Sequence, residues 1–162
     1  MSDPFGRALI EKLPNLRRFA LSLCRSGDTA DDLVQITVER ALSARASYDP
    51  ATRIEAWLFR ILRNAWIDMA RKHKIRGTHV RLEEAPETAA AGHHPGDARL
   101  MVAAVMDAVE RLPIDQREVL LLVCVEDVSY AEAATILDIP KGTVMSRLSR
   151  ARTALAGRIG IK

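Results

Sequence analysis

Arg53 to Arg76 reads R-I-E-A-W-L-F-R-I-L-R-N-A-W-I-D-M-A-R-K-H-K-I-R, and this stretch decides the fold class. Trp57, Leu58, Ile61, Leu62, Ala65 and Met69 recur at steps of three and four, the period that gathers side chains on one face of a helix. That face predicts a core contact. The other face carries Arg60, Arg63, Asn64, Asp68 and Arg71, and along the stretch Arg53, Arg60, Arg63, Arg71, Lys72, Lys74 and Arg76 meet only Glu55 and Asp68. A long helix so charged suits a polyanion, whether nucleic acid or a membrane surface.

The surrounding chain has 162 residues, of which 48% are hydrophobic. That length and content predict one ordinary domain or two small ones with real cores, and exclude global disorder. Aromatic residues make up only 4%, while Leu, Ala, Arg and Glu dominate, so an all-α fold is expected. The net charge of +3 is modest, and the placement of charge carries more information than its sum. Lys141, Arg147, Arg150, Arg152 and Arg158 stand together without an acid between them, whereas acids gather in Asp28 to Glu39 and in Glu83 to Glu87.

Cys24 and Cys124 stand a hundred residues apart, which argues against a disulfide framework and fits no metal motif. The opening M-S-D-P-F-G-R has no apolar signal core, and no apolar run is long enough to span a bilayer. A cytoplasmic protein without membrane insertion is expected.

Upstream of the basic stretch, Leu9, Ile10, Leu13, Leu16, Phe19, Ala20, Leu23 and Cys24 repeat with helical period around Pro14. The proline predicts a kink or two helices meeting near Leu13. Ser26-Gly27-Asp28 breaks the chain, with Asp28 or Thr29 as the cap of a helix over residues 30–44. Val34, Val38, Ala41 and Leu42 are its expected buried stripe, and Asp32, Gln35 and Glu39 share another face. That acidic face is either a solvated surface or a dock for a basic partner. Ser47 to Thr52 is a short loop in which Thr52 can cap the basic helix and Tyr48 is expected to be exposed, where it could stack on a base.

Periodicity dissolves over residues 77–97, which hold glycines, prolines and an alanine run, and predict a flexible linker. Two small helical domains, residues 1–76 and 98–162, are therefore expected. His93-His94 has no Cys or carboxylate at ligand spacing, so no metal site and no cofactor are expected. Leu100, Val102, Val105, Met106, Val109 and Leu112 predict a helix stopped by Pro113, and a further helix covers residues 115–125 with Val119, Leu120, Leu122 and Val123 inside.

Ser129-Tyr130-Ala131-Glu132 is a capping-box sequence, followed by a short helix, the turn Asp138-Ile139-Pro140 and a helix from about Lys141 to Ile159. This is a helix-turn-helix pattern. Val144, Leu148, Ala151 and Leu155 share one face of the last helix, which leaves Gly142, Ser146, Ser149, Arg150 and Thr153 on the opposite arc. An acid-free arc on the first turns of such a helix suits the major groove. No nucleophile, metal-ligand or phosphate-loop constellation is present, so enzymatic activity is not expected.

Three stretches in this order resemble the group IV, extracytoplasmic-function sigma factors of bacterial RNA polymerase: D-D-L-V-Q-I-T-V-E-R-A from Asp31, W-L-F-R-I-L-R-N from Trp57, and S-Y-A-E-A-A-T-I-L-D-I-P-K-G-T-V-M-S-R-L-S-R-A-R from Ser129. L-P-N-L-R-R-F-A-L-S-L-C from Leu13 also looks like the general-stress subgroup. The resemblance implies that Asp32, Gln35 and Glu39 grip the clamp of core RNA polymerase. It assigns Tyr48, Arg60, Arg63 and Asn64 to the minus-ten element, where a base is flipped and the non-template strand is melted. It assigns Lys141, Thr143, Met145, Ser146, Ser149 and Arg150 to the minus-thirty-five element, with the second domain also resting on the polymerase flap. An anti-sigma factor is the implied regulatory partner. Ile36 stands where the family commonly has an acid, and Met145 where a basic or polar residue is frequent. Two rival expectations are a sigma-like decoy for an anti-sigma protein and a conventional helix-turn-helix repressor on a two-fold symmetric operator.

Overall fold

The computed structural model of the protein describes residues 3–75 and 98–160; the expected linker and His93-His94 lie outside them. The described chain is helical without strands: α1 (Pro4–Glu11), α2 (Leu13–Cys24), α3 (Gly27–Ser43), α4 (Ile54–Ile75), α5 (Ala98–Glu110), α6 (Ile114–Leu120), α7 (Tyr130–Leu137) and α8 (Lys141–Ile159). A single 3₁₀ turn, Arg45–Ser47, follows α3, and α6 runs on into a turn of π-helix, Leu121–Val125.

The expected break near Leu13 is present. Lys12 separates α1 from α2, and Pro14 falls in the first turn of α2, where its missing N–H would have no partner anyway. Ser26, not Asp28 or Thr29, caps α3, accepting from the Thr29 amide at 3.4 Å. Thr52 does not turn toward α4 as expected; its hydroxyl donates to the Asp49 carbonyl at 2.7 Å.

In the first domain α2, α3 and α4 enclose Leu16, Phe19, Leu23, Leu33, Leu58, Phe59 and Leu62, with the Phe19 and Phe59 rings edge to face at 5.3 Å. The buried stripe of α3 is one position out of phase with the expected one. Ala30, Leu33, Thr37 and Ala41 are buried, Val34 and Val38 are half-buried, and Leu42 is 51% exposed. Thr37 can lie inside because its hydroxyl donates to the Leu33 carbonyl at 2.7 Å, leaving only its methyl to be packed. A period counted on apolar residues alone steps over it. Ile10, Val102 and Met106, which share the helical period of their segments, are exposed, so α1 and α5 are each covered over only part of their circumference.

In the second domain α6, α7 and α8 pack around Val119, Leu122, Ile136, Leu137, Val144 and Leu148. The capping box forms: Ser129 accepts from the Glu132 amide at 3.1 Å, and Glu132 accepts from the Ser129 amide at 3.1 Å. Asp138 takes the left-handed conformation at φ 54° and turns α7 into α8. The connection is three residues, Asp138 to Pro140.

The two domains pack against one another, α2 and α4 of the first meeting α6 and α7 of the second. Charge dominates this contact. Arg63 on α4 donates to Glu118 on α6 at 2.9 Å, with side-chain exposures of only 18% and 7%. The Glu126 carboxylate accepts from Arg18 and from Asn15, both on α2, at 2.7 Å each. Arg117, 4% exposed, donates to the Ser22 carbonyl at 2.6 Å and to those of Glu110 and Leu112 at 3.0 and 3.2 Å. Its cation thus sits where the carbonyl ends of α2 and α5 converge, the end of a helix that favours positive charge. Burial pushes the Glu118 carboxyl above its ordinary value in spite of Arg63 beside it, so removing water outweighs the pairing.

Two expectations follow from this packing. Thr37→Asp strands a carboxylate in the core and should lower the first domain's stability by about 3 kcal/mol or more, whereas Leu42→Gln should stay within about 0.5 kcal/mol in a urea melt; the reverse order would restore the original stripe. Glu118→Gln should leave the chain compact in small-angle scattering. Glu118→Lys, which sets like charge against Arg63 and Arg147, should raise its radius of gyration with helicity retained, and an unchanged radius would show that this pair does not hold the domains together.

Candidate nucleic-acid interface

α4 is the longest helix among the described residues, and its polar side is shared between solvent and the second domain. Arg60 and Asn64, one helical turn apart, are exposed. Arg63 is turned toward α6 and engaged by Glu118. Arg53, just before the helix, donates to the Asp127 carbonyl at 2.9 Å and lies 3.4 Å from Glu132, the same glutamate that closes the capping box of α7. A groove of about 420 Å³ separates α4 from α7, with Arg53, Trp57 and Arg60 on one wall and Glu132, Thr135 and Ile136 on the other. Arg60 also borders a recess formed by Asp138, Ile139 and Pro140 of the helix-turn-helix turn.

Tyr48 is not the free ring expected. It is half-buried, packed 5.0 Å from the Trp57 ring and 5.9 Å from that of Phe5, and its hydroxyl donates to the Thr52 carbonyl at 2.8 Å. Burial, with Glu55 and Asp49 nearby, raises its phenol above the ordinary value. Its ring is a structural member of the loop between α3 and α4, and the surface it offers a base is reduced accordingly.

On α8 the expected arc is open to solvent. Lys141, Met145, Ser146, Ser149 and Arg150 are exposed and Thr143 is half-buried at the edge; Met145 is 51% exposed. Ser146 donates to the Thr143 carbonyl at 3.1 Å, so its hydroxyl oxygen remains available as an acceptor. The flanking Arg147 is drawn toward Asp115 at 3.8 Å, while no acid stands within ion-pair range of Arg150 or Lys141 among the described residues. An exposed arc of this kind can contact base edges through Arg150 and the hydroxyls, with Lys141 at the phosphates.

Asp32, Gln35 and Glu39 are exposed together on α3. Gln35 donates to Glu39 at 3.3 Å. The neighbouring Asp31 is taken by Arg17 at 2.9 Å, but among the described residues no cation pairs with Asp32 or Glu39. Their charge is free for a basic partner.

Sequence reasoning missed the acids of the interdomain contact. Arg117 and Glu118 occupy the last turn of α6, and only their place before the run V-L-L-L-V could have hinted at burial. The groups Phe5, Asp3 and Arg45 around Tyr48 were also missed. No candidate metal cluster occurs among the described residues, and no described helix is long and apolar enough to cross a membrane.

Comparison with known proteins gives two family matches. Residues 9–75 match the Sigma-70 region 2 family and residues 103–155 match Sigma-70, region 4. The chain is 38% identical over 157 residues to the ECF RNA polymerase sigma factor EcfG of Rhodopseudomonas palustris, covering 96% of this chain and 85% of that one. It is 34% identical over 146 residues to the ECF RNA polymerase sigma factor SigM of Mycobacterium tuberculosis, covering 90% and 71%. Among solved structures, the sigma factor RpoE of Bartonella quintana, crystallised with the anti-sigma factor NepR, superposes with a TM-score of 0.78 at 33% identity over 98% of both chains. CnrH in complex with the cytosolic domain of CnrY gives a TM-score of 0.68 at 29% identity over 96% and 87%. The basic helix, the acidic face and the helix-turn-helix module are thus parts of one known architecture, and the chain belongs to the extracytoplasmic-function, group IV family of RNA polymerase sigma factors.

Proposed function

We propose that this chain binds core RNA polymerase through Asp32, Gln35 and Glu39 on the clamp and through the second domain on the flap, and reads promoter DNA at two separate elements. Arg60, Asn64 and the Tyr48 loop engage the minus-ten element, joined by Arg63 once Glu118 releases it. Lys141, Thr143, Met145, Ser146, Ser149 and Arg150 engage the minus-thirty-five element. The observation that carries this reading is the coexistence of two exposed, unlike cationic surfaces, Arg60 with Asn64 on α4 and the acid-free arc of α8, on two domains tied through one chain. A two-fold operator would call for a single surface presented twice; a decoy would have no use for either.

The closed packing bears on control. Arg63 cannot hold a phosphate and Glu118 at once, so contact of this residue with DNA requires the domains to part. An anti-sigma partner that favours the closed form would withhold it. Support comes from the likeness of the whole chain, both domains together, to a sigma factor solved with its anti-sigma factor.

Run-off transcription with purified core polymerase tests the reading: the chain should direct initiation from a subset of promoters that core alone ignores, protecting two unlike elements in a footprint. Absence of any specific transcript would leave a decoy, and equal palindromic half-sites a repressor. Arg150→Ala should cost roughly 1–3 kcal/mol of promoter affinity at fixed salt, and unchanged affinity would remove it from the base contacts. Glu39→Lys should weaken core binding by about tenfold or more without altering the melt; a parallel loss of helicity would make this face structural.

A further inference from the structure

The loop between α3 and α4 is held from outside the stretch that matches region 2, which begins at residue 9. Asp3 and Phe5 at the start of α1 do the holding. Both guanidinium amino groups of Arg45 donate to the Asp3 carboxylate, at 2.8 and 2.6 Å, a forked pair of fixed geometry. The same guanidinium lies 4.9 Å over the Phe5 ring, within cation–π range. Arg45 opens the 3₁₀ turn that leads directly into Tyr48. Phe5 meets Tyr48 at 5.9 Å and Trp57 at 6.0 Å, and those two rings meet at 5.0 Å, so three rings from α1, the loop and α4 close a triangle. Arg45 holds the Asp3 carboxyl below its ordinary value. Gly6 makes room: a side chain there would bring its first carbon to 3.0 Å from an Asp3 carboxylate oxygen. A second tie, Lys12 to Glu55 at 2.5 Å, fastens the end of α1 to the first turn of α4.

The fully buried core does not include these residues, though Phe5 and Trp57 pack against it. Asp3 and Arg45 are exposed and Phe5 is only half-buried, and α2, α3 and α4 close around other residues. A surface loop left to itself is mobile, and ordering it costs roughly 1–2 kcal/mol per residue fixed. A clip that orders the loop before DNA arrives removes that cost from the binding step.

We propose that α1 is a positioning clip for the base-capturing loop, with Phe5 and Asp3 as positioning residues that set the place of Tyr48 and of the Asp49–Thr52 turn. The inference rests on the reading of that loop as the minus-ten capture element. It makes promoter melting and minus-ten sequence choice depend on residues outside the proposed DNA and core contacts.

The test uses the full chain with core polymerase on a duplex library randomised across the minus-ten element, the minus-thirty-five element being held fixed. Core affinity, thermal melt, permanganate-detected opening and the selected sequences are read for Tyr48→Ala, Phe5→Ala, Phe5→Tyr and Asp3→Asn. Phe5→Ala should reduce opening by roughly tenfold, the worth of about one base stack, and relax selection at the position relaxed by Tyr48→Ala, with core affinity unchanged. Asp3→Asn should do the same more weakly, and Phe5→Tyr, which keeps the ring, should restore both readouts. If Tyr48→Ala relaxes selection and Phe5→Ala and Asp3→Asn do not, the clip is overturned while the loop keeps its role. If Tyr48→Ala has no effect either, the capture reading fails and the clip with it. Should Phe5→Ala lose core affinity in step with opening, its role is packing alone; if that variant does not fold, the exposed Asp3→Asn decides.

Discussion

A charge taken out of water must be met where it is buried, and this requirement fixes how the second domain sits on the first. Glu118, Glu126 and Arg117 all reach low exposure at the contact, and each finds its partner on the opposite domain: Arg63, Arg18 with Asn15, and the Ser22 carbonyl. Side chains of this kind tolerate little displacement, because a shift of one helical step would leave an acid buried without a cation. The contact therefore specifies one register. It need not be strong, since the cost of drying these groups consumes most of what their pairing returns, as the raised Glu118 carboxyl indicates. A registered but weakly held arrangement is suited to a protein that must change partners.

The same cations have two possible counterparts. Arg53, Arg63 and Arg18 face acids of the second domain, yet Arg53 and Arg63 belong to the basic stretch whose charge suits a nucleic acid. Glu118 and Glu132 hold two of these cations in the packed form. The arc of α8 is not involved in this exchange and stays open. The basic surface of α4 is thus partly engaged by the protein itself and the arc of α8 is free, an asymmetry that the chain's charge totals give no sign of.

Much of this was legible in the sequence because local rules governed it. The capping box at Ser129 and Glu132, the break before Pro14 and the stripe Leu58, Leu62 and Ala65 on α4 each follow from residue spacing, and each formed as expected. The misreadings share a cause. Thr37 does not enter a period counted on apolar residues, and its bond to Leu33 makes it a core residue. Val102 and Met106 follow the helical period of α5 yet stay exposed, because α5 is covered over only part of its circumference. Tyr48 was expected free because its partners, Phe5 and Trp57, lie 43 and 9 positions away and no period links them. Among the site residues, Asp32, Gln35, Glu39, Arg60, Asn64, Ser146, Ser149 and Arg150 are exposed on the expected faces; the engagement of Arg63 by Glu118 depends on tertiary packing alone.

We propose that the closed, ion-paired form of the free chain opens on polymerase and frees the α4 surface beside the already open arc of α8. Its most direct measure is the distance between the domains, read by double electron resonance from spin labels at Ser43→Cys and Gly157→Cys with Cys24 and Cys124 changed to serine. The account predicts one short, narrow distribution in the free chain and a longer one with core polymerase and promoter bound. The same distribution in both states would contradict it.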